Sequence, residues 1–347
     1  MRYLASVKKQ VKGGQKISLD LPKPGDDFQD VKVIAFPAPA SEKTLSSGKV
    51  RFLQKLSQPA YIDIASPESF TLRSISVYPS QKPIRTKAKL YAKSDGDYRL
   101  LTEFEIDRSN AALNVGFDPY APVVISVPAT EGKAFRLELG PNVAGNELAE
   151  VKLSSTPKVE RYPEKSLAKM FQTPLPYWHE YQWRDQPVLD DASLAVPQAK
   201  IVDISSCLKG ERVEWDAPEG DWIIMRMGMR PTGVTNAPAD PEATGLEVDK
   251  MSREHVEAHF DAYMGEIIRR IPEADRKCWK MVIQDSYETG GQNFTDDFLT
   301  SFKERYGYDA LPFLPVYQGY VVESQDRSDR FLWDMRRLVA DRVAYDY

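Results

Sequence analysis

The pattern of apolar and polar positions changes character part-way along the chain. From residue 11 to about residue 155, short apolar runs, several of them alternating in polarity, are separated by Pro, Gly, Asn or Asp. Such runs with frequent turn residues are typical of an all-β sandwich. Two of the runs flank Asp95, Gly96 and Asp97, which indicates a hairpin. We therefore predict a jelly-roll-like β-sandwich over residues 1–155.

The next stretch, residues 156–200, is rich in Pro and in aromatic side chains and is predicted to connect two domains. Its large aromatic residues are too apolar for a solvated tether, so we expect the segment to pack along a surface. A platform that stacks sugar rings is the alternative role for them. Residues 201–230 contain further strands, which either complete the sandwich or lead into the next domain. The aromatic residues concerned are Tyr177, Trp178, Tyr181 and Trp183.

Residues 231–347 alternate between helical and strand patterns. Ser252 is a candidate N-cap for an amphipathic helix. The apolar run at residues 278–284 predicts a strand, and Thr295 is a candidate cap for a helix that ends at Gly307. Helix, strand and helix in this order are typical of a parallel α/β fold. We predict that this region is part of a (β/α)8 barrel of the TIM type.

The two ends of the chain suggest that it is a piece of a longer protein. The last helix-periodic stretch stops without Gly, Pro or another C-terminal signal. No apolar segment of the signal-peptide type follows Met1, which would favour the cytoplasm if Met1 were the true start. Because the chain also ends within a helical pattern, we give this argument little weight, and the location stays open at this point.

Composition excludes several classes of function. The 347 residues suffice for two domains, and 42% of them are hydrophobic, which is enough to build real cores. The formal net charge is −5, and no run of Lys and Arg indicates nucleic-acid binding. No apolar stretch approaches the ~20 residues of a membrane helix. Cys207 and Cys278 are far apart and show no metal-binding spacing.

The stretch KMVIQDSYETGGQNF, residues 280–294, combines an apolar run with a dense set of polar groups. In a barrel the reactive groups lie at the carboxyl ends of the strands, and the glycine pair lets the backbone turn away and leaves the side chains facing a cleft. Carboxylates beside amides and a phenol suit a sugar, because polar groups bind hydroxyls and an acid protonates the glycosidic oxygen. The alternative is that the carboxylates only bridge helix ends or bind loop amides. The groups are Asp285, Tyr287, Glu288, Gln292 and Asn293.

Two other clusters carry weaker signals for a metal ion. His255 and His259 would share a helix face, but Val256 occupies the position where the zinc metalloprotease motif requires Glu. A half-exposed helix face is the ordinary explanation. Loop 240–250 has enough acidic residues to bind a hard cation such as calcium, but it lacks the EF-hand order, so a solvated acidic loop is the default. The acidic residues are Asp240, Glu242, Glu247 and Asp249.

Long strings in the second half of the chain resemble the glycoside hydrolase family 106 α-L-rhamnosidases. The strings are MRPTGVTNAPADPEATGLEVDKMS, then VIQDSYETGGQNFTDDFLTSFKERYGYD, then LPFLPVYQGYVVESQDRSDRFLWDMRRLVAD. They occur in the family's order and the resemblance spans about residues 210–347. The β-rich part before them is similar to the sandwich insert that this family carries within its barrel.

The resemblance implies a large, calcium-dependent, multidomain enzyme with a (β/α)8 catalytic barrel. Such enzymes hydrolyse α-L-rhamnosides of plant polysaccharides with inversion, in the periplasm or outside the cell. The family's general acid matches Glu288. The resemblance leaves the calcium ligands unassigned and implies sugar or cation contacts for a set of residues without separate roles. They are Asp285, Tyr287, Gln292, Asn293, Glu247 and Asp249.

The resemblance also implies that the active site is divided. Inversion needs a second carboxylate about 6.5–9.5 Å from the acid. No strand-end candidate follows Glu288, and Glu323, the nearest carboxylate of interest, fits a helix start. We therefore expect the general base outside this chain. An incomplete barrel exposes sheet edges, so we expect the isolated chain to be inactive and poorly soluble.

Two other functions remain open from the sequence. Another exo-glycosidase on the same scaffold is one, since pocket loops choose the sugar. A carbohydrate-binding β-sandwich without catalytic activity is the other. Replacement of Glu288 by Gln distinguishes an enzyme from a binding module.

Overall fold

The computed structural model of the chain describes residues 1–39, 42–52, 58–94, 96–140, 147–170, 183–283 and 290–346. In these ranges the protein is mostly β-sheet with few helices, and the strands form three antiparallel sheets. The strands are β1 Arg2–Lys12, β2 Gln15–Asp20, β3 Gln29–Pro37, β4 Thr44–Ser46, β5 Val50–Arg51, β6 Ala60–Pro79, β7 Arg85–Ser94, β8 Asp97–Asp107, β9 Val123–Leu139, β10 Glu147–Ser154, β11 Val202–Asp203, β12 Leu208–Lys209, β13 Arg212–Ala217 and β14 Asp221–Pro231.

A four-stranded sheet in the order β1-β14-β3-β11 lies next to the candidate site. The apolar run of β14 is buried almost throughout, because β1 and β3 flank it and its two faces contribute to two hydrophobic clusters. Leu4 pairs with Met229 in this sheet. The N-terminal strands, which we predicted within the sandwich of residues 1–155, thus pair with strands from residues 202–231 instead. The predicted domain boundaries stay a prediction.

A small sheet in the order β12-β13-β2 packs beside the four-stranded sheet. The two sheets share one hydrophobic cluster, to which Ile17, Val213 and Trp222 contribute. The rings of Trp215 and Trp222 meet edge to face, with centroids 5.2 Å apart. This sheet therefore buries the second face of β14.

The remaining sheet has seven strands and a separate core. Its path is β4-β10-β6-β9-β7-β8, and β5 also pairs with β10. The long strands β6 and β9 change register between Ala65 and Phe70 and again between Leu72 and Ser74, so each can contribute to both layers around one core. This arrangement fits the predicted β-sandwich. The predicted hairpin is confirmed, since β7 and β8 pair and Gly96 has a φ of 96°.

The helices mostly follow the predicted capping signals. The Ser252 side chain accepts a hydrogen bond from the His255 N–H, as a cap should. Gly307 ends α4 with a φ of 74°, as predicted. Thr295 does not cap α4, because Asp297 holds that position and the Thr295 hydroxyl donates to Asp249. The α-helices are α1 Tyr162–Lys165, α2 Arg253–Phe260, α3 Glu266–Arg270, α4 Phe298–Tyr306 and α5 Gln325–Asp346, with a π-helical turn at Asp261–Gly265.

The strand predicted at residues 278–284 is wrong for its described part. Residues 278–283 form no strand, and Met281, Val282 and Ile283 are 69%, 50% and 80% exposed. A barrel strand needs parallel neighbours, and every described strand already pairs within an antiparallel sheet. The described residues therefore do not form the predicted barrel, which stays a prediction.

An aromatic core joins the C-terminal helices to the four-stranded sheet. The side chains of Phe298, Phe302 and Phe331 are fully buried, and the rings of Phe302 and Phe331 lie 5.4 Å apart. The helical period of the last stretch predicts an apolar face on α5, and its residues are buried or, for Val343, partly buried: Phe331, Leu332, Met335, Leu338, Val339 and Val343. No described helix has the length and apolar character of a membrane span.

Candidate active site

The structure describes some of the predicted site residues and not others. Asp285, Tyr287 and Glu288 lie outside the described residues, as do Tyr177, Trp178 and Tyr181. The predicted residues that the structure describes belong to two segments, residues 247–251 and residues 290–295. The candidate site is therefore built from the segment that begins two residues after Glu288 and from its partners. The described predicted residues are Glu247, Asp249, Gln292 and Asn293.

Two glycines begin the segment that follows Glu288. Gly290 has a φ of 85°, and a Cβ on it would lie 2.3 Å from the Asn114 carbonyl oxygen. A Cβ on Gly291 would lie 2.2 Å from the carbonyl oxygen of Leu167. Only glycine fits such close backbone contacts. The backbone therefore turns at Gly290, as predicted, and is pressed against two other loops.

Asn293 is held by hydrogen bonds from its side-chain amide and its backbone. Its Nδ2 donates to the Ser166 carbonyl at 2.7 Å, and its Oδ1 accepts the Leu4 N–H at 2.9 Å. Its carbonyl oxygen accepts a bond from the Tyr317 hydroxyl at 3.3 Å. The amide is 1% exposed. Asn293 therefore ties β1 to the segment after α1, and its predicted contact with a sugar stays a prediction.

Asp249 is the centre of a buried hydrogen-bond network. Its Oδ1 accepts from Gln292 Nε2 at 2.5 Å and from the Met251 N–H at 3.1 Å. Its Oδ2 accepts from Arg2 Nη2 at 2.7 Å, from Arg2 Nε at 3.0 Å and from the Thr295 hydroxyl at 2.9 Å. Five donors leave the carboxylate with no free lone-pair direction. The structure thus joins Asp249 and Gln292 in one cluster, which fastens residues 247–251 to residues 290–295.

Arg2 neutralises this cluster from the start of β1. Its Nη1 and Nη2 also reach the Asp296 carboxylate at 2.8 and 2.5 Å. Burial disfavours the charged guanidinium, but the hydrogen bonds to Asp296 and Asp249 outweigh it, so the pKa of Arg2 is raised. The hydrogen bond from Arg2 in turn lowers the pKa of Asp296. His255 Nε2 lies 3.8 Å from Asp296, at the edge of the same group of charges.

The described residues do not fit a calcium ion. Calcium takes six to eight oxygen ligands, and no group of three or more His, Cys, Asp or Glu side chains in the described part of the chain is placed to hold a metal. Asp240 and Glu242 are exposed, and Glu247 pairs with Lys250 Nζ at 3.0 Å. Asp249 already receives five donors, two of them from an arginine. The implied calcium therefore stays a prediction with no ligand among these residues.

Glu323, the carboxylate considered as a base, shapes the turn before α5. It has a φ of 61°, its N–H donates to the Val196 carbonyl at 3.0 Å, and its Oε1 accepts the Gln198 N–H at 2.5 Å. The adjacent Ser324 hydroxyl accepts the Arg327 N–H, as a helix cap does. Glu323 therefore lies at a helix start and holds the segment around residue 197.

Comparison with known proteins shows the family to which the chain belongs. A family model for α-L-rhamnosidases, glycoside hydrolase family 106, matches residues 1–347. The chain belongs to this family. The match confirms the resemblance stated from the sequence and extends it from residues 210–347 to the whole chain, including the sandwich.

Nearly the whole of this chain has the same fold as part of a solved rhamnosidase. The structure of a rhamnosidase from Novosphingobium sp. PP1Y aligns with 99% of the chain at a TM-score of 0.79 and 26% identity. A protein of Formosa agariphila named "Putative beta-glucuronidase" is 35% identical over 153 residues, 44% of the chain. The chain covers only 35% of the solved rhamnosidase and 13% of the Formosa protein.

Sequence reasoning missed three residues that organise this candidate site. Arg2 and Thr295 hold Asp249, and Asp118 lines a cavity of about 370 Å³ beside Asn293. Arg2 lies 247 positions from its partner, so no local pattern reveals the pair. The only sequence signal for Asp118 is the loop string GFDPYAP, which marks a turn.

Proposed function

We propose that this chain is part of an inverting α-L-rhamnosidase that removes terminal α-L-rhamnosyl groups from plant-type polysaccharides. Glu288 is the general acid, and the base lies outside the chain. Family membership and the DSYE string support this proposal. The structural observation that carries it is the close packing of residues 290–295, which follow the acid in the chain.

A general acid works only when it is held within hydrogen-bond reach of the leaving oxygen. The residues that follow Glu288 in the chain are held in place by packing and hydrogen bonds. Gly290 packs on the backbone of Asn114, and Gln292 and Asn293 are 0% and 1% exposed with their amides fully bonded. The end of the acid-bearing segment is therefore fixed to the rest of the fold.

The rest of the proposed enzyme lies beyond the described residues. We place the (β/α)8 barrel partly in protein outside this chain, and we take its location as periplasmic or extracellular from the family. Calcium is proposed to bind the whole enzyme, and because its ligands are unassigned we give it no step in the reaction. The isolated chain is proposed to be inactive and poorly soluble.

The test is Glu288→Gln in the whole enzyme, with Glu304→Gln on the exposed side of α4 as the control. With a sugar-linked rhamnoside, turnover should fall roughly 100- to 10,000-fold while sugar affinity changes little. With a nitrophenyl rhamnoside the loss should be much smaller, because that leaving group needs no proton. Unchanged turnover of the sugar-linked substrate would remove Glu288 from the mechanism.

A different exo-glycosidase is the second candidate, favoured by the similarity to the Formosa protein. A panel of nitrophenyl glycosides, including α-L-rhamnoside and β-D-glucuronide, separates the two activities. Preference for the rhamnoside supports the main proposal, and preference for the glucuronide supports the second. A non-catalytic binding role requires that no glycoside be cleaved although sugar still binds.

A further inference from the structure

We propose that the cavity beside Asn293 is a binding subsite for a neutral sugar, in which Asp118 accepts hydrogen bonds from the sugar hydroxyls. The inference rests on the proposed function for the kind of ligand, but its geometry is independent of Glu288. The cavity measures about 370 Å³, at the lower end of the range for small-molecule pockets. This size suits one sugar residue rather than a long oligosaccharide.

Separate parts of the chain meet at this cavity. Its walls come from the start of β1, the loop before β9, the residues in and after α1, Asn293 and the end of the 3₁₀ helix at residues 311–318. Gly290 packs on Asn114 of the same loop. The cavity therefore adjoins the fixed segment that follows Glu288. The wall residues that matter here are Tyr3, Phe117, Asp118, Tyr162, Asn293 and Gln318.

Two aromatic side chains line the cavity side by side. The rings of Tyr3 and Phe117 are stacked, with centroids 4.1 Å apart and planes 16° from parallel. Aromatic rings combine a large apolar face with, in tyrosine, a polar tip, which matches the apolar faces and polar edges of a sugar ring. A sugar bound in the cavity would therefore lie beside aromatic carbon atoms.

The cavity is also lined by a carboxylate that has no ionic partner among the described residues. Asp118 forms no salt bridge with any described residue: its carboxylate accepts a hydrogen bond from the Tyr120 backbone N–H, and Arg108 and Lys169 act on it only at longer range. Arg108 instead pairs with Glu164 at 2.8 Å. Asp118 is an exposed residue, and the protein on one side of it raises the pKa of its carboxyl group, with desolvation the main cause.

A second polar group of the cavity wall belongs to Tyr162. The Tyr162 hydroxyl makes no hydrogen bond with a described residue, and burial raises its pKa above the ordinary value. Sugar hydroxyls both donate and accept hydrogen bonds, so one sugar can satisfy the Asp118 carboxylate and the Tyr162 hydroxyl. An anionic sugar would be repelled by Asp118.

The test is Asp118→Ala in the whole enzyme, with Asp97→Ala in the exposed β7–β8 turn as the matched control. Binding of methyl α-L-rhamnoside is measured by calorimetry in the Glu288→Gln background, and KM is measured with Glu288 intact. We expect Asp118→Ala to raise Kd and KM at least tenfold and to leave the melting temperature unchanged or higher. Asp97→Ala should change none of these values.

Unchanged Kd and KM in Asp118→Ala would overturn the subsite. The subsite would also be overturned if Asp118→Ala weakened binding and lowered the melting temperature, and if no conservative substitution at Asp118 restored binding. Tyr162→Phe removes only a hydroxyl and keeps the inference testable if Asp118→Ala fails to fold; it should also weaken binding. If Glu288→Gln leaves turnover intact while Asp118→Ala weakens sugar binding, the proposed acid fails and the subsite stands. The reverse pair of results overturns only the subsite.

Discussion

The two segments on either side of Glu288 differ sharply in how they are held. After it, residues 290–295 are all buried, and α4 continues into the aromatic core through Phe298 and Phe302. Before it, α2 and α3 bury no side chain, and residues 278–283 are mostly exposed. In the sequence the segment before Glu288 is at least as rich in apolar residues as the segment after it. They differ in whether another part of the described chain covers the apolar side.

The difference shows that hydrophobic periodicity predicts a helix but does not predict which part of the chain packs against its apolar face. The apolar face of α2 and the turn after it appears in the sequence as clearly as that of α4. In the structure Phe260 is 46% exposed and Tyr263 is 62% exposed, whereas Phe302 is fully buried. The four-stranded sheet and α5 cover α4, and no described element covers α2 in the same way. This contrast is open to direct tests.

Phe302→Ala and Phe260→Ala should give the largest contrast in stability. Removal of the buried Phe302 ring should lower the free energy of unfolding by about 3–5 kcal/mol. The half-exposed Phe260 should cost about 0.5 kcal/mol or less. Urea unfolding of both variants measures the difference, and equal losses would mean that the two sides of Glu288 are packed alike.

Asp249→Ala should break the network that fastens the two segments of the candidate site. It leaves Gln292 and Thr295 without their acceptor and removes the buried partner of Arg2, at a cost of about 3 kcal/mol in unfolding free energy. Asp296→Ala removes the other carboxylate that binds Arg2. The Asp296 side chain is 47% exposed, so its loss should lower the free energy of unfolding by less than about 1 kcal/mol. If calcium rather than Arg2 holds Asp249, chelation should destabilise the wild type as much as the substitution does.

Gly290→Ala should show how tightly the segment after the acid is packed. Gly290 and Gly307 both have positive φ, at 85° and 74°, so each alanine pays about 1 kcal/mol for the backbone conformation. Only at Gly290 does the new Cβ meet Asn114, and the total should reach about 2–3 kcal/mol. Similar melting temperatures for the two variants would show that Asn114 moves aside freely.

The smallest expected effect is the pH dependence due to Asp296. Arg2 lowers the pKa of this carboxyl group in the folded protein, so its contribution to stability is complete above the ordinary value of 3.8 and is lost as pH falls below it. Because Asp296 is half-exposed, the contribution should be below about 1 kcal/mol. Asp296→Asn should flatten the acid side of the stability profile slightly, whereas Asp216→Asn, on an exposed strand position, should not.

Local signals in the sequence predicted the parts of the fold that depend on neighbouring residues. The Ser252 cap, the end of α4 at Gly307 and the hairpin around Gly96 depend on backbone and side-chain chemistry within a few positions. The strand at residues 278–284 depends on parallel neighbours, which the described residues do not supply. Its apolar composition alone could not reveal that.

The candidate site was predicted less completely, for a related reason. Asp249 lies in an acidic loop of the kind that binds cations. Only the fold shows that its carboxylate is already bound by Arg2. The role of Thr295 was misread because its hydroxyl suits both a helix cap and a distant carboxylate. Asp118 gave no usable signal, since its cavity forms between segments that are far apart in sequence.

Hydrogen–deuterium exchange on the 347-residue chain, kept at low concentration because we expect it to be poorly soluble, tests the central contrast most directly. The account predicts that the amides of residues 298–306, and the buried amides of residues 292–293, exchange only with global unfolding. The amides of residues 253–270 should exchange many times faster through local opening. Equal protection of the two segments would contradict the claim that the chain is fixed after Glu288 and loosely held before it.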